Sequence, residues 1–512
     1  MEAGANRRHA PTHALREPKK ATRRTGRTSA AGGARENHYR DPHVRKRILE
    51  FLGGDHPENL TSRFITADGD TDVRRRPRSI DELGACMDRG MEICRSLWDR
   101  DALVAHLDIE YVNFDFPGEA YRRPERVFDL QAPVIDATET LLRACGIEPL
   151  HILSGRGHHF VWQISRGSAP FKSLEELGRG YPSALQIEAE VRAGDGETIP
   201  PGLVRAFAGL GLVMEFVAGE IKAAAACRIP VELTAVEVGP STHGREMISI
   251  DISEYGDPLH TRATRVPFST YLKPWQQRDA VGPDFVRTLP PIYFIPLSGM
   301  DVARGVEVMR DPGRTAKLAR RVSTRIPSQE KGMAKLIAKY VTSPLRQFHA
   351  WFYSHCHDLP EHWPETYDRT PLESLPACAA LALNHPNDLL LRPCNMRMLT
   401  RVMLALGWHP RHVAGLIRSK FERDHQWGEQ WQIYNPAMRA DFYTRMFAGL
   451  FMTGRDPLDD FNCRSAQEEK ICTVADCPWN LARFRESLLA RKRYGYLAHR
   501  PFNGLFLPKE HL

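Results

Sequence analysis

No run of about 18 uninterrupted apolar residues, the length a membrane-spanning helix requires, occurs in this sequence of 512 residues. The charged N-terminus is not followed by an apolar core, so a secretory signal is not expected. No internal repeat is found, which argues against a solenoid or propeller. Beyond residue 40 there is no net charge. Residues 1–40 hold ten Lys/Arg and three Asp/Glu, which accounts for the whole formal excess of +7 and leaves 60 of each sign in the rest. Any basic groove on the folded part must therefore be a local arrangement. These absences predict a protein of the cytoplasm or nucleoid with no membrane partner. In that compartment ten cysteines are read as metal ligands and buried thiols rather than disulfides.

What is present is an ordinary globular composition, 42% hydrophobic and 26% charged, long enough for two or three domains. Residues 1–43 lack apolar periodicity and are expected to be a disordered basic tail, either a solvated extension or a phosphate-binding arm. Residues 44–288 are expected to form an α/β or α+β domain around a small, mostly antiparallel sheet. Its predicted elements are a helix from Val44, a helix over 80–98 capped by Ser79, a strand in ALVAHLDIEYVNFDF and a helix over 127–145 ended by Gly146. Two strands follow in PLHILSGRGHHFVWQI, then two helical stretches over 172–225 and the strand EMISIDI. Residues 289–334, rich in Pro, Gly and Arg, are the expected linker. Residues 335–512 read as an all-α domain.

In His106-Leu107-Asp108-Ile109-Glu110, the two acids are two apart on a strand and so share a face, while Leu107 and Ile109 turn to a core. Neighbouring carboxylates repel unless a cation neutralises them. Mg²⁺ or Mn²⁺ suits such oxygen ligands and leaves positions for phosphate. Asp251 sits in the same apolar–acid–apolar setting. If its strand lies beside the first, three carboxylates converge, enough for two-metal nucleotidyl transfer. A bare acid-x-acid strand is more often a solvated face. Ser154-Gly155-Arg156-Gly157-His158-His159 adds a Gly-rich turn that allows close backbone approach and supplies phosphate donors. Read alone, it is also an ordinary hairpin turn.

Together these segments resemble the three motifs of the archaeo-eukaryotic primase superfamily, which includes the catalytic small subunit of primase. Arg265-Val266-Pro267-Phe268-Ser269, with Lys273 after it, is similar to the basic stretch following the third acid there. The resemblance implies that Asp108, Glu110 and Asp251 hold Mg²⁺ or Mn²⁺. It further implies that Ser154, Arg156 and His159 contact the nucleotide triphosphate, and that Arg265 and Lys273 bind phosphates of the nucleotide or nascent strand. The sequence departs from the family in three ways. Glu110 replaces the commoner Asp, Tyr271 stands where eukaryotic small subunits tend to have His, and Cys227 alone cannot form their zinc knob.

Cys86, Cys94, Cys145 and Cys227 are scattered over apolar helical stretches and read as buried thiols. Cys463, Cys472 and Cys477 are closely spaced, with Cys378 well upstream. Such a set can close around zinc or bind an iron–sulfur cluster, and spacing does not choose between them. Cys356 and Cys394 could replace one of the four. The surroundings resemble the C-terminal iron–sulfur domain of the primase large subunit. There, a proline-preceded cysteine leads through arginines to an apolar helix ending in glycine, as in Pro376-Ala377-Cys378, Arg392, Arg397 and Gly407. Tyr443-Thr444-Arg445 resembles the segment before the second ligand. The resemblance implies a [4Fe–4S] cluster on Cys378, Cys463, Cys472 and Cys477, with Arg392, Arg397 and Arg445 gripping the template or the initiating nucleotide.

The implied function is a DNA primase that starts short primers on single-stranded DNA from NTP or dNTP, with a replicative helicase or polymerase as further partners. The nearest rival is a primase-polymerase of repair, gap filling or plasmid replication. A metal-dependent nuclease and a non-catalytic nucleic-acid-binding protein with structural Zn²⁺ are rivals of other classes.

Overall fold

The computed structural model describes residues 35, 37–66, 76–180, 199–384, 392–421 and 434–493. Most of the expected basic tail, residues 1–34 and 36, lies outside them. The tail ends earlier than expected. His38 and Tyr39 are buried, and the Tyr39 hydroxyl donates to the Met91 carbonyl at 2.6 Å.

Ten strands occur among the described residues: β1 (Ser62–Thr66), β2 (Arg76–Pro77), β3 (Cys94–Asp99), β4 (Ala102–Asn113), β5 (Leu150–Leu153), β6 (Gly157–Ser165), β7 (Val231–Leu233), β8 (Glu246–Asp251), β9 (Ala263–Arg265) and β10 (Ile295–Pro296). They make a six-stranded sheet, β10-β5-β6-β4-β8-β7, and a four-stranded sheet, β2-β1-β3-β9. All neighbours pair antiparallel except β7 and β8. The class is mixed α/β.

β4 organises the larger sheet. Leu103, Ala105, Leu107 and Ile109 alternate onto one face and are fully buried. The helices Pro124–Cys145 and Pro201–Ala224 pack on β4 and on each other. The first ends at Gly146 with φ 75°, the left-handed conformation that stops a helix at glycine. The second is long and apolar enough to cross a membrane, but its apolar window is 89% buried within the protein, as befits a core helix.

Two expectations change. Residues 80–98 are not one helix. A short helix, Leu83–Asp88, ends at Gly90 with φ 68°, and the chain turns into β3, where Cys94 to Asp99 are all buried. Apolar residues on both faces of a buried strand imitate a helical pattern. The expected linker is also structured: β10 pairs with β5, and the helices Val302–Met309 and Pro312–Ala319 follow it. Pro and Gly there mark turns between short elements rather than a spacer.

From Glu330 onward every described element is helical. This half is not loosely tethered. Glu215, on the core helix, accepts from Arg445 Nε at 3.0 Å and pairs with His349 Nε2 at 3.0 Å, all three fully buried.

Candidate active site and cysteine centre

Strand pairing brings the acids together. β8 runs antiparallel beside β4 with Asp108 opposite Asp251, and β6 flanks the other side with His159 opposite Asp108 and Gly157 opposite Glu110. This register follows from the apolar alternation of β4, because a one-residue slip would bury the acids in the core. Asp108 Oδ1 is buried and, among the described residues, has no hydrogen-bond partner. Burial first, then the charges of Glu110 and Asp251, push the Asp108 carboxyl well above its ordinary range. Asp251 Oδ1 accepts from the Ser253 amide at 2.9 Å.

Glu110 takes a different part. It receives Arg156 Nε at 2.6 Å, and Lys273 Nζ stands 3.6 Å from it. Burial would raise its carboxyl, but these two cations outweigh burial and hold it down at about 2. The three acids therefore share a site without closing on one point. Among the described residues, no three His, Cys, Asp or Glu side chains form a ready-made pocket for a single ion. The pair Asp108–Asp251 fits a divalent cation all the same. Its facing carboxylates and one orphaned buried oxygen form a donor set that only positive charge satisfies.

The surrounding donors are near. Burial, and after it Arg156, lower Lys273 to about 8. Arg265 Nε pairs with Glu92 at 3.1 Å and is kept charged by it against burial, with Asp108 contributing. His159 Nδ1 lies 3.8 Å from Asp108 Oδ1 and is hydrogen-bonded to His106 Nε2 at 2.8 Å. Burial, then the neighbouring His106 and Arg265, keep His159 neutral, well below its ordinary range. Ser154 Oγ instead donates to the Gly157 carbonyl at 3.1 Å and closes the turn. The two glycines are explained by packing rather than by ligand approach. A Cβ on Gly155 would come within 2.6 Å of the Tyr271 ring, and one on Gly157 would overlap the Ile109 carbonyl oxygen.

Sequence reading missed the chain behind His159. His106 Nδ1 is 2.9 Å from Glu254 Oε1, so Glu254, His106 and His159 form one hydrogen-bonded line ending at the acids. His106 shares a strand face with Asp108, which was visible; nothing marked Glu254. Glu92, the anchor of Arg265, also carried no signal.

The cysteines gather as well. Burial, followed by the nearby Cys472, Cys463 and Cys477, pushes the Cys378 thiol up to about 12. The Leu481 amide donates to Cys463 Sγ at 3.3 Å. Four such thiols, with an amide already pointed at one sulfur, are a donor set that either a zinc ion or an iron–sulfur cluster takes. A cavity of about 340 Å³ opens beside Cys477, lined by Ala377, Val474, Pro478 and Trp479. Cys356 is exposed, and Cys394 is buried next to Arg392; neither is among the thiols acting on Cys378.

The arginines expected to grip nucleic acid are not laid out as an open surface. Arg397 is buried, 2.9 Å from Asp460 and 3.4 Å from Glu469. Arg445 is buried on Glu215, and Arg392 pairs with Glu237. Each pairs with a carboxylate within the protein, as burial demands of Arg397 and Arg445; Arg392 remains partly exposed. A cleft of about 540 Å³ beside Arg100 and Arg166 lies at the far end of the β4–β6 pair from the acids.

Comparison with models of known families, with curated proteins and with solved structures returned no match.

Proposed function

We propose that this chain is a DNA primase, a template-dependent nucleotidyltransferase with an archaeo-eukaryotic-type catalytic half and an iron–sulfur helical half. The observation that carries the reading is Asp108 facing Asp251 across β4 and β8, one oxygen buried without a partner, amid Arg156, His159, Arg265 and Lys273. Facing carboxylates are a costly arrangement for a surface that only binds DNA, a polyanion. They suit a site that takes cations with its substrate.

Mg²⁺ or Mn²⁺ on Asp108, Asp251 and Glu110 would neutralise the acids and supply Lewis-acid activation for attack of a 3′-hydroxyl on an α-phosphate, with release of pyrophosphate. The remaining work falls to the protein's own groups. Arg156 exchanges its hold on Glu110 for a phosphate oxygen, one charge-assisted partner for another. Neutral His159, whose Nδ1 is held by His106, presents its Nε2 to the substrate. Lys273, with its amine at about 8, stays largely protonated at neutral pH. Such groups act by positioning and preorganised charge. Cys378, Cys463, Cys472 and Cys477 would hold a [4Fe–4S] cluster, and the helical half would bind the initiating end of the primer. Nucleoid association, single-stranded DNA and a helicase or polymerase as partners belong to the same reading.

The test uses anaerobically purified chain, single-stranded DNA, Mg²⁺ or Mn²⁺ and labelled NTP or dNTP without primer. Short template-dependent products with pyrophosphate release are expected. Extension only of a supplied primer would turn the reading to a repair or gap-filling polymerase. Degradation of the DNA would turn it to a nuclease.

A further inference from the structure

The acid site is gripped from the helical half of the chain. Asp251 ends β8, and the chain turns at once through Ser253–Gly256. Every residue of that turn is tied down. Glu254 holds His106, and through it His159. Tyr255 donates its hydroxyl to the His106 carbonyl at 2.8 Å, pinning β4 two residues from Asp108. Gly256 lies under Phe442, whose ring a Cβ would meet at 2.7 Å. Asp257, wholly buried, receives Arg262 from its own half and Arg439 Nε, at 2.8 Å, from the helix Pro436–Met452. Arg439 is itself buried and stacks over Tyr434 at 3.7 Å. One turn further on that helix, the buried Tyr443 is close enough to Asp251 to feel its charge.

We infer that Arg439 is a positioning residue for the acid site: by holding Asp257 it fixes the turn that carries Asp251 and Glu254, so the helical half is a working part of the catalytic centre. A carboxylate pair that must accept cations has to be held apart and in register by something other than the cation. A guanidinium fork on a buried Asp gives a fixed direction as well as charge. Among the described residues, the cation that reaches Asp257 from the catalytic half is Arg262, through its Nη2. The inference deepens the nucleotidyl-transfer reading and rests on it for one of its two readouts.

The experiment uses the full chain with Arg439→Met, Arg439→Lys and, as a control at the same junction, Arg455→Met. Arg455 joins the halves through Glu220 and the Gly219 carbonyl, away from the turn. Mn²⁺ binding is followed by electron paramagnetic resonance and primer extension by kcat and KM. Arg439→Met is expected to weaken Mn²⁺ binding by about 10–100-fold, the scale on which outer partners of metal ligands act. It should also lower kcat more than it raises KM for the nucleotide. Arg439→Lys, which keeps the charge but not the fork, should fall between, and Arg455→Met should bind Mn²⁺ as wild type does. Should Arg439→Met not fold, Arg439→Lys decides. A folded Arg439 variant with wild-type Mn²⁺ affinity overturns the inference, as does equal weakening by Arg455→Met. Wild-type protein that binds no Mn²⁺ overturns both this and the proposed function. Mn²⁺ shifts as expected without nucleotidyl transfer would remove only the proposed function.

Discussion

Asp108 sits at a cost in the metal-free fold. It faces Asp251, neighbours Glu110 and has one oxygen buried without a partner among the described residues. Replacement by the isosteric amide removes a charge that the metal-free fold tolerates poorly. Asp108→Asn is therefore expected to melt at the same temperature as the metal-free wild type or above it, while losing Mn²⁺ binding and all nucleotidyl transfer. Thermal denaturation with and without Mn²⁺ checks this. A large fall in melting temperature would show that Asp108 is a structural residue. The neighbouring Glu110 behaves oppositely, since Arg156 and Lys273 already satisfy it. Two acids two residues apart thus have different tasks, and only the register of three strands separates them.

At the scale of elements, β4, β5, β6 and β8 were legible because apolar alternation and turn residues speak locally. The Asp108-x-Glu110 strand and the helix stop at Gly146 could be read from the sequence, whereas the pairing with Asp251 was a condition that only the sheet register met. The 80–98 segment could not: β3 is buried on both faces, and its pattern resembles a helix until long-range pairing decides. Residues 289–334 hid β10, a strand too short to show periodicity. The roles of Arg397 and Arg445 were also illegible, because an arginine in a helix gives no sign of whether it meets its own protein's acid or a nucleic acid.

Two predictions belong to elements of the helical half. Burial, against the pull of Arg397 and with the push of Asp460, raises Glu469 to about 8. Its folded value lies above its unfolded one, so the folded state keeps a proton that the unfolded state has released. Its contribution is present in full below about 4.5 and is lost as pH rises toward 8. Glu469→Gln should flatten that part of the stability–pH curve and be more stable than wild type at pH near 9 by urea unfolding. A curve unchanged by the substitution would contradict the assignment. For the cysteine centre, Cys472→Ser should reduce the iron and sulfide content of anaerobically purified protein and its visible absorbance, whereas Cys356→Ser should not. Zinc in the wild-type protein instead of iron would overturn the cluster reading.

At the scale of the whole molecule, the two halves are joined by buried charge rather than by a spacer. Glu215, between Arg445 and His349, is the deepest of these contacts. Removing one partner leaves a buried carboxylate under-compensated, so Arg445→Met should cost on the order of 3–5 kcal/mol in unfolding free energy. It should destabilise both halves together in one transition, seen by circular dichroism. Two separated transitions would show that the halves fold independently.

Primer synthesis without a primer tests the central claim most directly. Anaerobic wild-type protein should make short, template-dependent products on single-stranded DNA with Mg²⁺ or Mn²⁺. Asp108→Ala and Asp251→Ala, both folded and both still binding the template, should make none. Synthesis retained by either variant at ordinary metal concentration would contradict it.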